Sequence, residues 1–134
     1  MNGEQAGQWL LKAGHNLKIG KDEMAAENPV TDMVCFHMQQ CAEKALKAYL
    51  IFKGTEISKT HNLAVILRQC ISLDEEFNAL NNLQADRLTD YAVEMRYPDE
   101  AHIPSDAETR EAIRLAEQVI GLVRKRLAAA GYSA

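Results

Sequence analysis

The clearest pattern in the sequence is a run of apolar positions spaced three and four residues apart within residues 31–53. This spacing places the apolar side chains on one face of an α-helix, because the helix repeats every 3.6 residues. The positions are Val34, Met38, Cys41, Ala42, Ala45, Tyr49 and Phe52. Gly54 follows, at a position where helices commonly end in a left-handed residue. The pattern therefore predicts a helix over residues 31–53.

Three other segments show the same spacing less regularly, and each predicts a helix. They cover residues 5–26, 62–71 and 83–96. Pro98 would stop the last of them, because proline cannot donate the backbone hydrogen bond that a helix interior needs. One or two short helical turns are predicted over residues 74–82, because the segment begins with three acidic residues, which are favoured at the start of a helix.

A final helix is predicted to begin at Ser105, because Ser105 and Glu108 have the spacing of a capping box. Apolar residues then recur on one face as far as Leu127, and Gly131 lies beyond the end. No Asn-Gly or Asp-Gly pair separates two alternating runs, so nothing indicates a β-hairpin. The pattern predicts an all-α bundle of four or five helices joined by short loops.

Composition supports an all-α fold and indicates the cellular location of the protein. The 134 residues are about the length of one domain, and we predict a single domain over residues 1–134. Aromatic residues make up only 6% of the chain, which is poor material for a β-sandwich. The sequence has no apolar run long enough for a transmembrane helix and no signal peptide, so no membrane association is expected. The three cysteines form no C-x-x-C pair, which predicts reduced, buried thiols and a cytoplasmic location.

Net charge narrows the ways in which this protein could bind nucleic acid. The formal charge is −4, so the molecule as a whole does not attract a polyanion. An RNA-binding surface would have to be local, or be built when copies assemble.

The predicted second helix also carries a polar stripe at helical spacing. Its members are His37, Gln40, Lys44 and Lys47. The stripe is either a solvated face, with Glu43 paired to Lys47 one turn away, or a surface for a phosphate or a partner. His37 and Cys41 are also one turn apart, but this pair is two ligands short of a usual zinc site, so we predict no metal.

A second polar group follows the predicted fourth helix. Arg96 and His102 have five residues between them, and Tyr97 and Pro98 lie within that interval. An arginine can clamp a phosphate, and a histidine can take and return a proton near neutral pH. The pair would suffice for RNA cleavage without a metal or another cofactor, although an arginine and a histidine at this spacing also recur by chance. His61, near a predicted helix start, is interpreted as a structural group, and His15 as a surface residue.

Several runs in the sequence resemble the HEPN domain family. They are residues 35–50 (CFHMQQCAEKALKAYL), 59–63 (KTHNL), 88–92 (LTDYA) and 96–98 (RYP), followed by the amphipathic helix after Pro104 and Ser105. The four motifs occur in the family's order, and the resemblance extends over nearly the whole chain. It implies an up-and-down four-helix bundle with a short additional helix.

The resemblance also implies a function. Active members of the family are metal-independent ribonucleases with an Arg-x(4–6)-His motif, which Arg96 and His102 match. The resemblance further implies homodimers, with two such motifs facing one cleft, and partnership with a minimal nucleotidyltransferase in toxin–antitoxin or defence systems. Tyr97 follows the arginine where active members often carry Asn, Asp or His, and the Arg-Tyr-Pro form resembles a branch that binds nucleotide or RNA.

Two functions therefore remain open at the level of sequence. One is a dimeric endoribonuclease with Arg96 and His102 as its catalytic pair. The other is a subunit that binds nucleotide or RNA through Tyr97 and the polar stripe of the second helix, and that partners a nucleotidyltransferase without cleaving RNA itself.

Overall fold

The computed structural model describes residues 2–92 and 103–133, and every regular element within these ranges is helical. The α-helices are α1 (Asn2–Met24), α2 (Thr31–Phe52), α3 (Leu63–Leu73), α4 (Asn78–Asn82) and α5 (Asp106–Ala129). Two 3-10 helices, Glu75–Phe77 and Ala85–Tyr91, flank α4. The predicted class, an all-α four-helix bundle with a short additional helix, is confirmed.

Helix α2 lies at the centre of the bundle, with α1, α3 and α5 packed around it. Its predicted apolar face is buried as far as Tyr49, with Phe52 partly buried, and the core also takes in Ile66 of α3 and Val119 of α5. Tyr49 meets Phe77 edge to face, with ring centroids 4.7 Å apart. Burying one large apolar side chain contributes about 1.5–3 kcal/mol, so this central helix dominates the stability of the fold.

Helices α1 and α2 run antiparallel and pack closely along their length. Gly3 lies beside Phe52 at one end of the pair, and Gly20 lies beside Met38 at the other. A Cβ atom at Gly20 would fall on the end of the Met38 side chain. A glycine inside a helix weakens it by up to about 1 kcal/mol, and here its missing side chain permits the close approach.

The helix ends follow the local signals in the sequence. The Asn62 side chain accepts a hydrogen bond from the backbone N–H of Ala64 and so caps α3. The predicted capping box of α5 is confirmed, since Ser105 and Glu108 each bond the other's backbone N–H. Gly54 and Gly131 follow α2 and α5 with φ angles of 77° and 101°, which glycine adopts without strain. The short turns predicted for residues 74–82 are the first 3-10 helix and α4.

The α-helix predicted over residues 83–96 is wrong within the residues that the structure describes. Residues 85–91 form a 3-10 helix instead. Gln84 stands before it in the left-handed conformation, with φ 58° and ψ 40°, and Ala92 after it is extended. A left-handed residue breaks the ladder of backbone bonds that would have joined this segment to α4. Residues 93–96, and Pro98 with its predicted stop, lie outside the described residues.

All three cysteines are buried and unpaired, as predicted. Burial raises the pKa of Cys41 to about 12 and also raises the pKa of Cys70. These thiols stay protonated and act as small apolar side chains. Within residues 2–92 and 103–133, no helix is both long enough and apolar enough to cross a membrane.

Candidate functional site

The predicted catalytic residues Arg96 and His102, and with them Tyr97, lie outside the described residues. What the structure does describe is the frame on either side of them, which ends at Ala92 and resumes at Ile103. The frame shows where the two ends of the intervening segment, residues 93–102, are held.

The first end of this segment is fixed by the second 3-10 helix. Ala92 is fully buried, and its backbone N–H donates to the carbonyl of Thr89. The Thr89 hydroxyl in turn accepts a hydrogen bond from the backbone N–H of Leu63, at a distance of 3.0 Å. The chain therefore enters the segment from a position tied to the start of α3.

The second end is fixed to the start of α2. The Thr31 hydroxyl donates to the carbonyl of Pro104 at 2.8 Å, and both residues are buried. One turn further along α2, the Cys35 thiol lies 3.7 Å from the Thr109 hydroxyl of α5.

Cys35 also joins the two ends. Burial raises the pKa of its thiol, and interactions with the Thr109 and Tyr91 side chains offset part of that rise. Tyr91 precedes the segment and Thr109 follows it. The described residues on both sides of the segment therefore lie beside the first two turns of α2.

A cavity of about 390 Å³ opens beside this frame, between the second 3-10 helix and α5. Its described lining is acidic, with carboxylates of Asp90, Glu108 and Glu111. Arg87 also lines it, but its guanidinium lies 3.5 Å from the Glu111 carboxylate. These described groups favour cations over phosphates, so an anion bound at this end would need further positive charge.

The polar stripe of α2 divides into two groups, and the first is buried. Glu43 and Lys47 are only 4% and 5% exposed, and their charged atoms are 3.0 Å apart. The Glu43 carboxylate also accepts from Gln39 and bonds His61 Nδ1, each at 2.9 Å. Burial alone would raise the pKa of Glu43, but the hydrogen bonds from His61, Gln39 and Lys47 together lower it.

The solvated-face interpretation therefore fails at Glu43 and Lys47, although their predicted pairing is confirmed. The structural interpretation of His61 agrees with its bond to Glu43. No local signal in the sequence indicates this cluster, because His61 lies 18 residues from Glu43 and reaches it only through the fold. A binding role for Lys47 stays a prediction that would require breaking a buried ion pair.

The second group of the stripe is half-buried and faces α1. Asn16 of α1 bridges it, because its side-chain oxygen accepts from Lys44 Nζ and its side-chain nitrogen lies 2.9 Å from His37 Nδ1. Since the oxygen is engaged by Lys44, the Asn16 nitrogen donates and His37 Nδ1 accepts. Burial, followed by the charge of Lys44, lowers the pKa of His37. Gln40 donates to the neighbouring Gln39 side chain at 2.7 Å.

Beyond Lys44 lies a small cleft between α1 and α2. It has a volume of about 250 Å³ and is lined by Gln8, Trp9, Lys12 and Lys44. Sequence reasoning singled out Lys44 but missed Lys12 and Trp9, because they lie on another helix. No group of three or more potential metal ligands occurs in the part of the chain that the structure describes.

A model of the HEPN domain matches residues 6–126 of the chain. The crystal structure of TT1696 from Thermus thermophilus is 27% identical, covers 95% of this chain and 100% of its own, and superposes with a TM-score of 0.75. The crystal structure of ST0689, an archaeal HEPN homologue, is 21% identical, covers 91% of this chain and 97% of its own, and gives a TM-score of 0.65. The latter likeness concerns the fold alone. No curated protein is significantly similar to the chain.

Proposed function

Because the chain belongs to the HEPN family, we propose that it is a metal-independent endoribonuclease of a toxin–antitoxin or defence system and that it acts as a homodimer. Arg96 and His102 form the proposed catalytic pair, with the Arg-x5-His spacing of the family motif. The proposal includes a cytoplasmic location, which the three unpaired thiols support.

The proposed reaction is a transesterification within the RNA backbone. The His102 imidazole takes the proton of a ribose 2′-hydroxyl, whose oxygen then attacks the adjacent phosphorus. The bond from phosphorus to the 5′-oxygen breaks, and that oxygen receives a proton from the imidazolium of the second copy. Arg96 stabilises the charge on the transferring phosphoryl group. The products carry a 2′,3′-cyclic phosphate and a 5′-hydroxyl, and the reaction uses no cofactor.

The supporting observation is that described residues on both sides of the motif segment are hydrogen-bonded into the bundle. The Cys35 thiol lies 3.7 Å from the Thr109 hydroxyl, Thr31 donates to the Pro104 carbonyl, and Thr89 accepts from the backbone of Leu63. Catalytic groups are commonly carried on connecting segments that a rigid scaffold positions, and this segment has such a scaffold on both sides.

The test is RNA cleavage by the purified protein in the presence of EDTA. We expect the unmodified protein to produce 2′,3′-cyclic phosphate ends and the His102→Ala variant to be slower by at least about 100-fold, the usual contribution of general acid–base catalysis. His15→Ala is the matched control, since His15 is an exposed histidine on α1. Equal, negligible cleavage by the unmodified protein and His102→Ala would end this proposal.

The alternative is a subunit that binds nucleotide or RNA and partners a nucleotidyltransferase without cleaving RNA. Pro104 favours the absence of cleavage. Toxins of the family that partner a nucleotidyltransferase often carry a tyrosine two positions after the histidine, and this chain has Pro104 there. Thr31 and the capping box hold Pro104 in place. Tyr97 and the polar stripe would then be the binding residues.

The alternative is tested by co-expression with a neighbour-encoded nucleotidyltransferase and by thermal unfolding with nucleotides. Co-purification in a defined ratio supports it, and a ligand at 100 times its Kd should stabilise the fold by about 2.7 kcal/mol. Absence of both a complex and any nucleotide-dependent shift in Tm would count against it.

A further inference from the structure

The cleft between α1 and α2 combines a flat aromatic surface with two cations. Trp9 and Lys12 come from α1, Lys44 comes from α2, and Gln8 completes the lining. A neighbouring cleft of about 580 Å³ shares Gln8 and Trp9, continues towards the loop after α2 and is lined there by Glu56. The indole of Trp9 thus borders both spaces.

Within the described part of the chain, neither of the two ammonium groups in this cleft contacts a carboxylate, and the charge of Glu43 offsets only part of the effects that lower the pKa of Lys44. Among residues 2–92 and 103–133, neither Lys12 nor Lys44 belongs to an ion pair. Lys44 is half-buried and donates to the neutral amide of Asn16. Its pKa is lowered first by burial and then by the charge of Lys12, so the two cations repel each other across the cleft.

The nearest acidic side chain along α2 is already engaged. Glu43 is buried and holds Lys47, His61 and Gln39. An anion between Lys12 and Lys44 would therefore meet little competition from the protein's own carboxylates, and it would relieve the repulsion between the two lysines.

The third component is the Trp9 indole, which is half-buried beside these lysines. Lys47 Nζ lies 5.9 Å from the centre of this ring, so the ammonium helps to fix the indole against α2. A fixed indole is a stacking platform for another flat ring, and such stacking contributes about 1–3 kcal/mol per base in nucleic-acid complexes.

We propose that this cleft binds a planar aromatic anion, with its ring against Trp9 and its anionic group between Lys12 and Lys44. A nucleoside monophosphate and a simple aromatic carboxylate share this chemistry. Lys44 lies roughly 20 Å along α2 from Thr31, at the helical rise of about 1.5 Å per residue, so the cleft is separate from the Thr31–Pro104 contact.

Trp9 is the only tryptophan in the chain, so its fluorescence reports on this cleft directly. The probes are adenosine monophosphate, benzoate, adenosine and inorganic phosphate, with excitation at the red edge of the indole band, where the probes do not absorb. We expect saturable quenching by adenosine monophosphate or benzoate, and weaker effects from adenosine or phosphate alone. The stronger of the first two identifies the source of the anion.

The lysine variants decide whether quenching arises in the cleft. Lys12→Gln and Lys44→Met should each weaken binding by about tenfold, the effect of losing one charge-assisted hydrogen bond. Lys18→Gln is the matched control, because Lys18 lies on α1 in an exposed pair with Asp22. Isothermal calorimetry on the same variants, each checked for an unchanged circular dichroism spectrum, gives a second readout. Absence of saturable binding by every probe, or equal affinity in all three variants, would overturn the proposal.

Discussion

Lys44 and Lys47 lie three residues apart on one helix, yet their surroundings are opposite. The Lys47 side chain is 6% exposed and pairs with Glu43, whose carboxylate also bonds His61 and Gln39. Lys44 is half-buried, bonds only the neutral amide of Asn16, and faces a second lysine across a cleft. The group of Lys47, Glu43, His61 and Gln39, called the closed group below, is buried and nearly neutral. Lys44 and Lys12, the open group, line a cleft and are positively charged.

The difference shows how the same residue type can serve structure or binding. A buried charge is costly unless a partner and further hydrogen bonds satisfy it, and Lys47 has that satisfaction inside the protein. Lys44 has lost part of its hydration without contacting an anion, which is why the proposed binding site includes it. We therefore expect changes around Lys47 to affect the free energy of unfolding, and changes at Lys44 to affect binding.

The largest effect should follow from removing the carboxylate of the closed group. In Glu43→Ala, Lys47 keeps its charge without an ion-pair partner, and His61 and Gln39 lose an acceptor. Breaking a buried ion pair in this way costs about 3–5 kcal/mol. The measurement is urea unfolding at neutral pH, followed by circular dichroism.

The control for this prediction is Glu117→Ala. Glu117 forms an ion pair with Lys21 at 2.8 Å, but the two side chains are 43% and 50% exposed. Exposed pairs contribute only about 0–1 kcal/mol, so this variant should unfold close to the unmodified protein. Equal losses in the two variants would mean that the Glu43 cluster does not stabilise the fold.

A smaller effect is expected when each lysine is replaced by methionine. Lys47→Met removes one of three bonds to a buried carboxylate and should cost about 1.5–3 kcal/mol. Lys44→Met removes a cation that the fold disfavours, so the free energy of unfolding should change by less than about 1 kcal/mol. The two variants are unfolded side by side in urea, and a reversed order of stability would refute the distinction between the closed and open groups.

The sequence predicted the bundle well where the signals are local. The apolar spacing of α2, the capping box at Ser105 and the glycine after α2 each act within a few residues, and each is confirmed. The failure over residues 83–92 has a local cause that no periodicity reveals. Gln84 takes up a left-handed conformation, which is uncommon for a residue other than glycine, and this ends the helical ladder.

The candidate sites were predicted less completely, because they depend on contacts between distant parts of the chain. The stripe on α2 was identified correctly as polar, but whether a member is buried depends on His61 and on α1. The cleft is formed by Trp9 and Lys12 of α1 and Lys44 of α2, which are more than 30 positions apart in the sequence and meet only when the two helices pack. The motif of Arg96 and His102 remains a prediction, for which the structure supplies the two attachment points.

The smallest expected effect concerns the proton on His37. Its pKa lies below the usual value of about 6.5, first because of burial and second because of Lys44. The unfolded chain therefore binds this proton more readily, so His37 contributes stability above about pH 6.5 that is lost as the pH falls towards its folded value. Unfolding of the protein and of His37→Gln between about pH 7.5 and pH 5 should show a shallower loss of unfolding free energy in the variant.

The imidazole signals of His37 in NMR titrations should shift to a higher midpoint in Lys44→Met and stay nearly unchanged in Lys47→Met, because of these two lysines only Lys44 lowers the pKa of this ring. A shift of equal size in both variants would show that the two lysines do not divide the polar stripe as the structure indicates.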